Sequence, residues 1–240
     1  MNRPKAPFAA MIFDLYGTLV HEFPRAEFYG AVQGMATALG ADQKAFRRGW
    51  DATAIGRQTG VFPDMGTNVR AICDEIGIEP PSAAVVEALE VRRTMYDRWF
   101  RPREGALETL RELRARRYPV GLLSMCAPDT PALWRTSPLA PLVDVTVFSC
   151  DVGLRKPDPA IYRLAASRLG VAPEACCYCG DGSYGELTGA EAVGMTAYLI
   201  RDPSLDPASQ LRPQAEEWAG ATVADLRELL MFLPPLTSPG

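Results

Sequence analysis

Phe8-Ala-Ala-Met-Ile-Phe13-Asp14-Leu-Tyr-Gly-Thr18-Leu-Val20 is the stretch on which the reading of the whole chain turns. An almost uninterrupted apolar run ends in an acid, a glycine and a hydroxyl. A short apolar run closed by turn residues predicts a strand buried on both faces. Open α/β sheets hold their ligands just beyond the carboxyl ends of such strands, which is where Asp14 and Thr18 fall. Taken alone, Asp followed by Gly and Thr is an ordinary turn. The remainder of the sequence decides between the two.

Four further apolar runs, at 120–124, 143–148, 176–179 and 196–200, also read as buried strands. Amphipathic patterns at 106–117, 132–139, 159–169 and 185–193 lie among them. Strand–helix alternation predicts a doubly wound parallel α/β sheet covered by helices. A last helix is expected near 223–230, and the proline-rich tail after it is expected to be disordered at its end. Residues 20–103 break the rhythm with four helical patterns, at 25–39, 43–55, 67–76 and 82–100, and no convincing strand. Turn signals such as Gly60-Val61-Phe62-Pro63 and Glu79-Pro80-Pro81 separate them. The organisation expected is a core of 1–19 and 104–240 interrupted by a helical cap of 20–103.

At 240 residues and 48% hydrophobic, the chain can bury a full core. Its net charge is −4 and no basic stripe stands out, so nucleic acid is not an expected partner. The apolar stretch near the start is a poor signal peptide and too short to span a membrane, so a cytoplasmic protein is expected. Cys176 and Cys179 form a CxxC, but odd spacing along a strand points them to opposite faces. They are read as reduced core residues.

Chemistry-bearing residues end the predicted strands one after another. Asp14 and Thr18 follow the first, Ser124 ends the second, and Gly180-Asp181, with Glu186 beyond, ends the fourth. Lys156 stands in Arg155-Lys156-Pro157-Asp158-Pro159. Three of the 25 basic residues are lysines, leaving 22 arginines, yet lysine stands here, where a compact point charge suits better than a wide fork. Asp158 before Pro159 is the expected N-cap of the next helix, and Tyr162 on that helix is read as core packing.

In order and spacing these motifs, Asp14-Leu-Tyr-Gly-Thr18, Ser124, Lys156-Pro-Asp and Gly180-Asp181 with Glu186, resemble the haloacid dehalogenase (HAD) superfamily. The resemblance implies a Rossmann-like core with a mobile cap, and Asp14 as a covalent nucleophile. It also implies that Thr18 and Ser124 hold the transferred group while Lys156 neutralises charge. A carboxylate is a weak nucleophile, so a neighbouring cation and a fixed approach are what such catalysis requires.

Two departures from the family pattern pull apart. HAD phosphatases usually carry a second Asp two residues after the nucleophile; here that position is Tyr16, as in the haloacid dehalogenases. Dehalogenases carry Ser-x-Asn-x-x-Asp at the last motif, whereas this chain has Asp181-Gly-Ser-Tyr-Gly-Glu186, nearer the acidic metal site of the phosphatases. Asp14, Asp181 and Glu186 together carry −3 and Lys156 returns +1, a balance that a Mg²⁺ ion would bring to zero. The family's remaining ligand is the backbone carbonyl at Tyr16, which any side chain permits. Met125, where Asn is common, weakens a substrate contact.

In the cap, Arg47, Arg48 and Arg57 are the candidates for meeting an anionic group, with solvated surface charge as the alternative for each. His21, the single histidine, is read as a surface residue. The leading expectation is a Mg²⁺-dependent phosphatase of a small metabolite, either monomeric or as a homodimer. A metal-independent 2-haloacid dehalogenase is the alternative, and a binding protein that has lost turnover is the third.

Overall fold

The computed structural model describes residues 8–201, 211 and 218–233. The expected disordered tail at 234–240 lies outside the described residues. Strand β1 (Ala10–Phe13) leads into a run of helices, α1 (Arg25–Ala38), α2 (Gln43–Ala52), α3 (Ala54–Gln58), α4 (Met65–Glu75) and α5 (Ser82–Trp99). The chain then alternates through α6 (Ala106–Ala115), β2 (Val120–Ser124), α7 (Thr130–Thr136), β3 (Val145–Phe148), α8 (Ser149–Val152) and α9 (Pro159–Leu169). It finishes with β4 (Cys176–Gly180), α10 (Glu186–Glu191), β5 (Thr196–Ile200), β6 (Ala221–Val223) and a 3₁₀ turn (Leu226–Met231).

All strands pair in parallel, in the order β3-β2-β1-β4-β5-β6. The order reverses beside β1, because the chain steps from β1 through β2 to β3 on one side and then crosses from β3 to β4 on the other. A crevice opens at such a switch point, beyond the carboxyl ends of the strands. Asp14, Ser124 and Asp181 follow or end the strands that border it. β1, β2 and β4 are buried at every residue, which is why they read as apolar runs rather than alternations.

Two apolar clusters sandwich the sheet. One holds Met11, Phe13, Leu110, Leu122 and Cys179 on one face, the other Ile12, Leu123, Ile161, Tyr162, Cys176 and Tyr178 on the opposite face. Cys176 and Cys179 thus sit on opposite faces, and all six cysteines are free thiols. A third cluster, with Val32, Met35, Phe46, Trp50, Val69, Ile72 and Ala88, is built from the helices between β1 and β2.

Local signals account for the helix starts. Asp42, Asp64 and Asp158 accept hydrogen bonds from Ala45, Thr67 and Ala160 at 2.8, 2.7 and 2.8 Å, satisfying amides that a first turn leaves open.

Three details differ from the sequence expectations. The pattern at 43–55 divides into α2 and α3 at Thr53, whose hydroxyl bonds to the carbonyls of Gly49 and Trp50 and closes the first helix. The helix expected at 223–230 is a 3₁₀ turn starting later, with Asp225 and Glu228 forming its capping box. Before it, Ala221–Val223 adds a sixth strand at the sheet edge that the sequence did not reveal.

Candidate active site

After β1 the backbone folds into a tight loop in which the Leu15 carbonyl accepts from Thr18, Leu19 and Val20. This turns Asp14 back over the strand end, where it is 4% exposed, and lets the Thr18 hydroxyl donate to Asp14 Oδ2 at 3.2 Å. Gly17 is needed twice over. Its φ is +78°, and a Cβ there would come within 2.4 Å of Asp181 Oδ2. The glycine lets the first motif press its backbone against the acid of the last.

Lys156 reaches in from the loop before α9. Its Nζ donates to Asp14 Oδ1 at 2.5 Å and to Glu186 Oε2 at 2.6 Å. Burial works against the ammonium, but the two carboxylates outweigh it and hold its pKa above the ordinary lysine value. Glu186 is itself tied on several sides. Tyr178 donates to Oε2 at 2.7 Å, the Gly182 amide donates to Oε1 at 2.9 Å, and the Tyr162 hydroxyl holds its backbone carbonyl at 2.9 Å. Gly180 makes room for this inward turn, since a Cβ there would lie 2.2 Å from Glu186 Oε1. Burial, countered by Lys156 and reinforced by Asp181, pushes the Glu186 carboxyl upward.

Carboxylate oxygens of Asp14, Asp181 and Glu186 all lie within 4.8 Å of one another. As donors for a hard divalent cation they are unequal. Glu186 is buried and accepts from Lys156, Tyr178 and the Gly182 amide, whereas Asp181 is half-buried and accepts from the Ser183 amide at 2.9 Å. Asp14 and Asp181 offer hard oxygen donors of the kind Mg²⁺ prefers. Arg103 bonds the Gly17 carbonyl beside Asp181, so a second cation stands at the edge of this cluster.

Ser124 completes the core side. Its hydroxyl is buried with no hydrogen-bond partner, apart from a weak contact with the Cys126 thiol. A buried unsatisfied hydroxyl at a strand end next to the one that carries Asp14 is a natural place for a ligand oxygen.

Tyr16 turns away from this cluster. Its phenol is 2.9 Å from the Thr130 hydroxyl, and burial, with Tyr96 and Cys126 nearby, raises its pKa well above the usual value. A phenol so held is a poor proton donor near neutral pH. With Met125 it lines a cavity of about 210 Å³ whose other walls include Trp50, Arg57, Arg92 and Tyr184.

Comparison with known proteins identifies the scaffold. The profile of the family described as haloacid dehalogenase-like hydrolase matches residues 8–194. The chain belongs to that family. This hydrolase is 27% identical over 212 residues to (S)-2-haloacid dehalogenase 4A of Burkholderia cepacia, covering 85% of this chain and 87% of that protein. It is 29% identical over 200 residues to phosphoglycolate phosphatase of Shigella boydii, covering 76% and 77%. A HAD phosphatase of Thermococcus onnurineus superposes with a TM-score of 0.67 at 21% identity, over 95% of this chain and 99% of that one. Relatives of both chemistries are thus present at comparable distance.

Of the residues singled out from sequence, the hydrolase brings Asp14, Thr18, Lys156, Asp181 and Glu186 together. Tyr16, Met125 and Arg57 line the adjacent cavity. Arg48 and His21 are exposed and do not line it, and Arg47 pairs with Asp51 at 3.3 Å. Tyr162 packs in the core and also anchors the Glu186 carbonyl. Sequence reasoning missed Tyr178, Arg92 and Asp129. The signal for Arg92 was there: it falls on the buried stripe Val85, Ala88, Arg92, Met95, Tyr96 of α5.

Proposed function

We propose that this hydrolase is a Mg²⁺-dependent phosphatase acting on a small phosphorylated metabolite, with Asp14 as covalent nucleophile. The observation that carries the reading is the Asp14–Asp181 juxtaposition at the switch point, with Lys156 already shared between Asp14 and Glu186. Asp14, Asp181 and the Tyr16 carbonyl would hold the ion, which supplies charge neutralisation to the transferring phosphoryl group. Asp14 Oδ attacks phosphorus as the P–O bond to the leaving group breaks. Lys156 orients the nucleophile and offsets its charge, and Thr18 and the unsatisfied Ser124 hydroxyl receive phosphoryl oxygens. Water then hydrolyses the acyl phosphate and restores Asp14.

No side chain at position 16 supplies a proton to the leaving group, since the Tyr16 phenol is bound to Thr130 and held un-ionised. Aryl phosphates, whose leaving groups are stable anions, are the better substrates. The same observation favours a second reading, dehalogenation of a short 2-haloacid. There Asp14 displaces halide from carbon, water cleaves the resulting ester, and no acid is required.

Release of phosphate from p-nitrophenyl phosphate with Mg²⁺ or EDTA, beside halide release from 2-chloropropionate, separates the two. Mg²⁺-dependent phosphate release supports the phosphatase. Halide release indifferent to EDTA overturns it in favour of the dehalogenase. Turnover persisting in Asp14→Asn removes the nucleophile from both.

A further inference from the structure

Arg57 is a buried cation without a counter-ion. It is 6% exposed, and its guanidinium lies 4.0 Å over the Trp50 ring. Its Nη1 donates to Thr53 Oγ1 at 2.6 Å and Asn68 Oδ1 at 3.2 Å, both neutral acceptors. Among the described residues no carboxylate pairs with it. Asp51, which lines the same cavity, is engaged by Arg47.

An internal control sits on the same indole. Arg92, 5.1 Å from the Trp50 ring centre, is as deeply buried, but Asp129 binds it at 2.6 Å and the Tyr96 hydroxyl accepts from it at 2.7 Å. One of the two arginines is neutralised and the other is not. Burial and the like charge of Arg92 lower the Arg57 pKa to about 10, so the folded protein holds this charge at a cost. Two more donors nearby, Trp50 Nε1 and Asn68 Nδ2, are buried without acceptors. Donors are in excess on this side of the cavity.

That excess faces a cavity whose walls adjoin, in sequence, the residues of the Asp14 cluster. Arg57 and Trp50 line the cavity together with Tyr16 and Met125, the one two residues after Asp14 and the other next to Ser124. At about 210 Å³ it admits a ligand smaller than a drug-sized molecule. We infer that Arg57 is the receptor for a carboxylate carried by the substrate, whose reacting group is presented to Asp14. The substrate class is therefore a small carboxylic acid bearing a phosphoryl ester or halide.

The inference rests on the hydrolase reading only for the chemistry at Asp14. A carboxylate is preferred over a second phosphate by charge: a monoanion cancels the single uncompensated cation, whereas a dianion would leave net negative charge beside Asp14 and Asp181. With Nη1 occupied, the remaining edge of the planar guanidinium suits the two oxygens of a carboxylate.

The test uses an unreactive probe. Propionate and propionamide are titrated into the full chain by NMR, with wild type, Arg57→Gln and Arg57→Lys compared. Saturable binding of propionate but not propionamide, weakened roughly thirtyfold or more in Arg57→Gln, is expected. Should Arg57→Gln fail to fold, Arg57→Lys decides, because it keeps the charge without the fork; weakened propionate binding supports the receptor. Equal binding of acid and amide, no propionate binding by wild type, or wild-type affinity in a folded variant overturns it. Propionate carries neither phosphoryl group nor halogen. The titration therefore reads Arg57 whatever the turnover assays say of Asp14.

Discussion

The Lys156 ammonium lies 2.5 Å from the Asp14 carboxylate, with their side chains 2% and 5% exposed. Glu186 takes the same ammonium from the other side at 2.6 Å. One cation bridges two buried anions and fixes the direction of the Asp14 carboxylate. It also makes the lysine structurally expensive to remove, because the two carboxylates would then face each other out of water.

Lys156→Met is therefore expected to lower unfolding stability by about 3–5 kcal/mol and turnover by at least about a hundredfold. Adding Glu186→Gln should restore part of the stability, because it removes one of the two stranded charges. Urea titrations of the two single variants and the double give the coupling directly. Strict additivity would show that the three groups do not act as a unit.

Asp181 and Glu186 should separate in a metal titration. Asp181 is half-buried and accepts from the Ser183 amide, whereas Glu186 is buried and accepts from Lys156, Tyr178 and Gly182. Asp181→Asn is expected to weaken Mg²⁺ binding by roughly tenfold or more with little loss of stability. Glu186→Gln should disturb stability and Lys156 first. Calorimetric Mg²⁺ titration with parallel melting curves checks both, and unchanged Mg²⁺ affinity in Asp181→Asn would remove that residue from the metal set.

Tyr16→Phe offers a sharp test of the missing acid. The phenol is spent on Thr130, so its loss should leave the rate on aryl phosphates within about twofold. Stability should drop by roughly 1–2 kcal/mol, because the Thr130 hydroxyl loses a partner while buried. A large loss of rate on alkyl substrates with a changed pH profile would instead make Tyr16 a proton donor.

How much of this was legible in the sequence follows from burial. β1, β2 and β4 are covered on both faces, so their runs are apolar throughout and the acid or hydroxyl that ends each one stands out. β6 is a three-residue edge strand with two exposed positions, and carries no such contrast. The 3₁₀ turn after it buries Leu226 and Leu229, a spacing that also suits an α-helix. Within the site, Asp14, Ser124 and Asp181 could be placed because each adjoins a strand end. Partners such as Asp129 for Arg92, 37 positions away, follow from how the helices meet, which local pattern does not encode. Arg57 and Arg48 look alike in sequence; only tertiary packing buries one and leaves the other exposed.

Alkaline pH should unfold this hydrolase earlier than its acidic side chains would suggest. Burial raises the pKa of Tyr16, Tyr96 and Tyr178 above the usual phenol value of 10.0, and of Cys176, Cys177 and Cys179 above the usual thiol value of 9.0. Cys176 is pushed up to about 11. The sign follows from proton counting. Below pH 9 these groups are protonated in both states and contribute fully; above it the unfolded chain releases protons that the folded chain keeps, so stability falls as pH rises. Each group that differs between the states contributes a slope of about 1.4 kcal/mol per pH unit. Urea unfolding from pH 8 to 11 should show stability level to about pH 9 and then steeply declining. Phenolate absorbance should appear together with unfolding rather than before it. A flat profile through pH 10.5 would mean that these phenols and thiols ionise inside the folded protein, and that the core around Tyr16 and Tyr178 admits water.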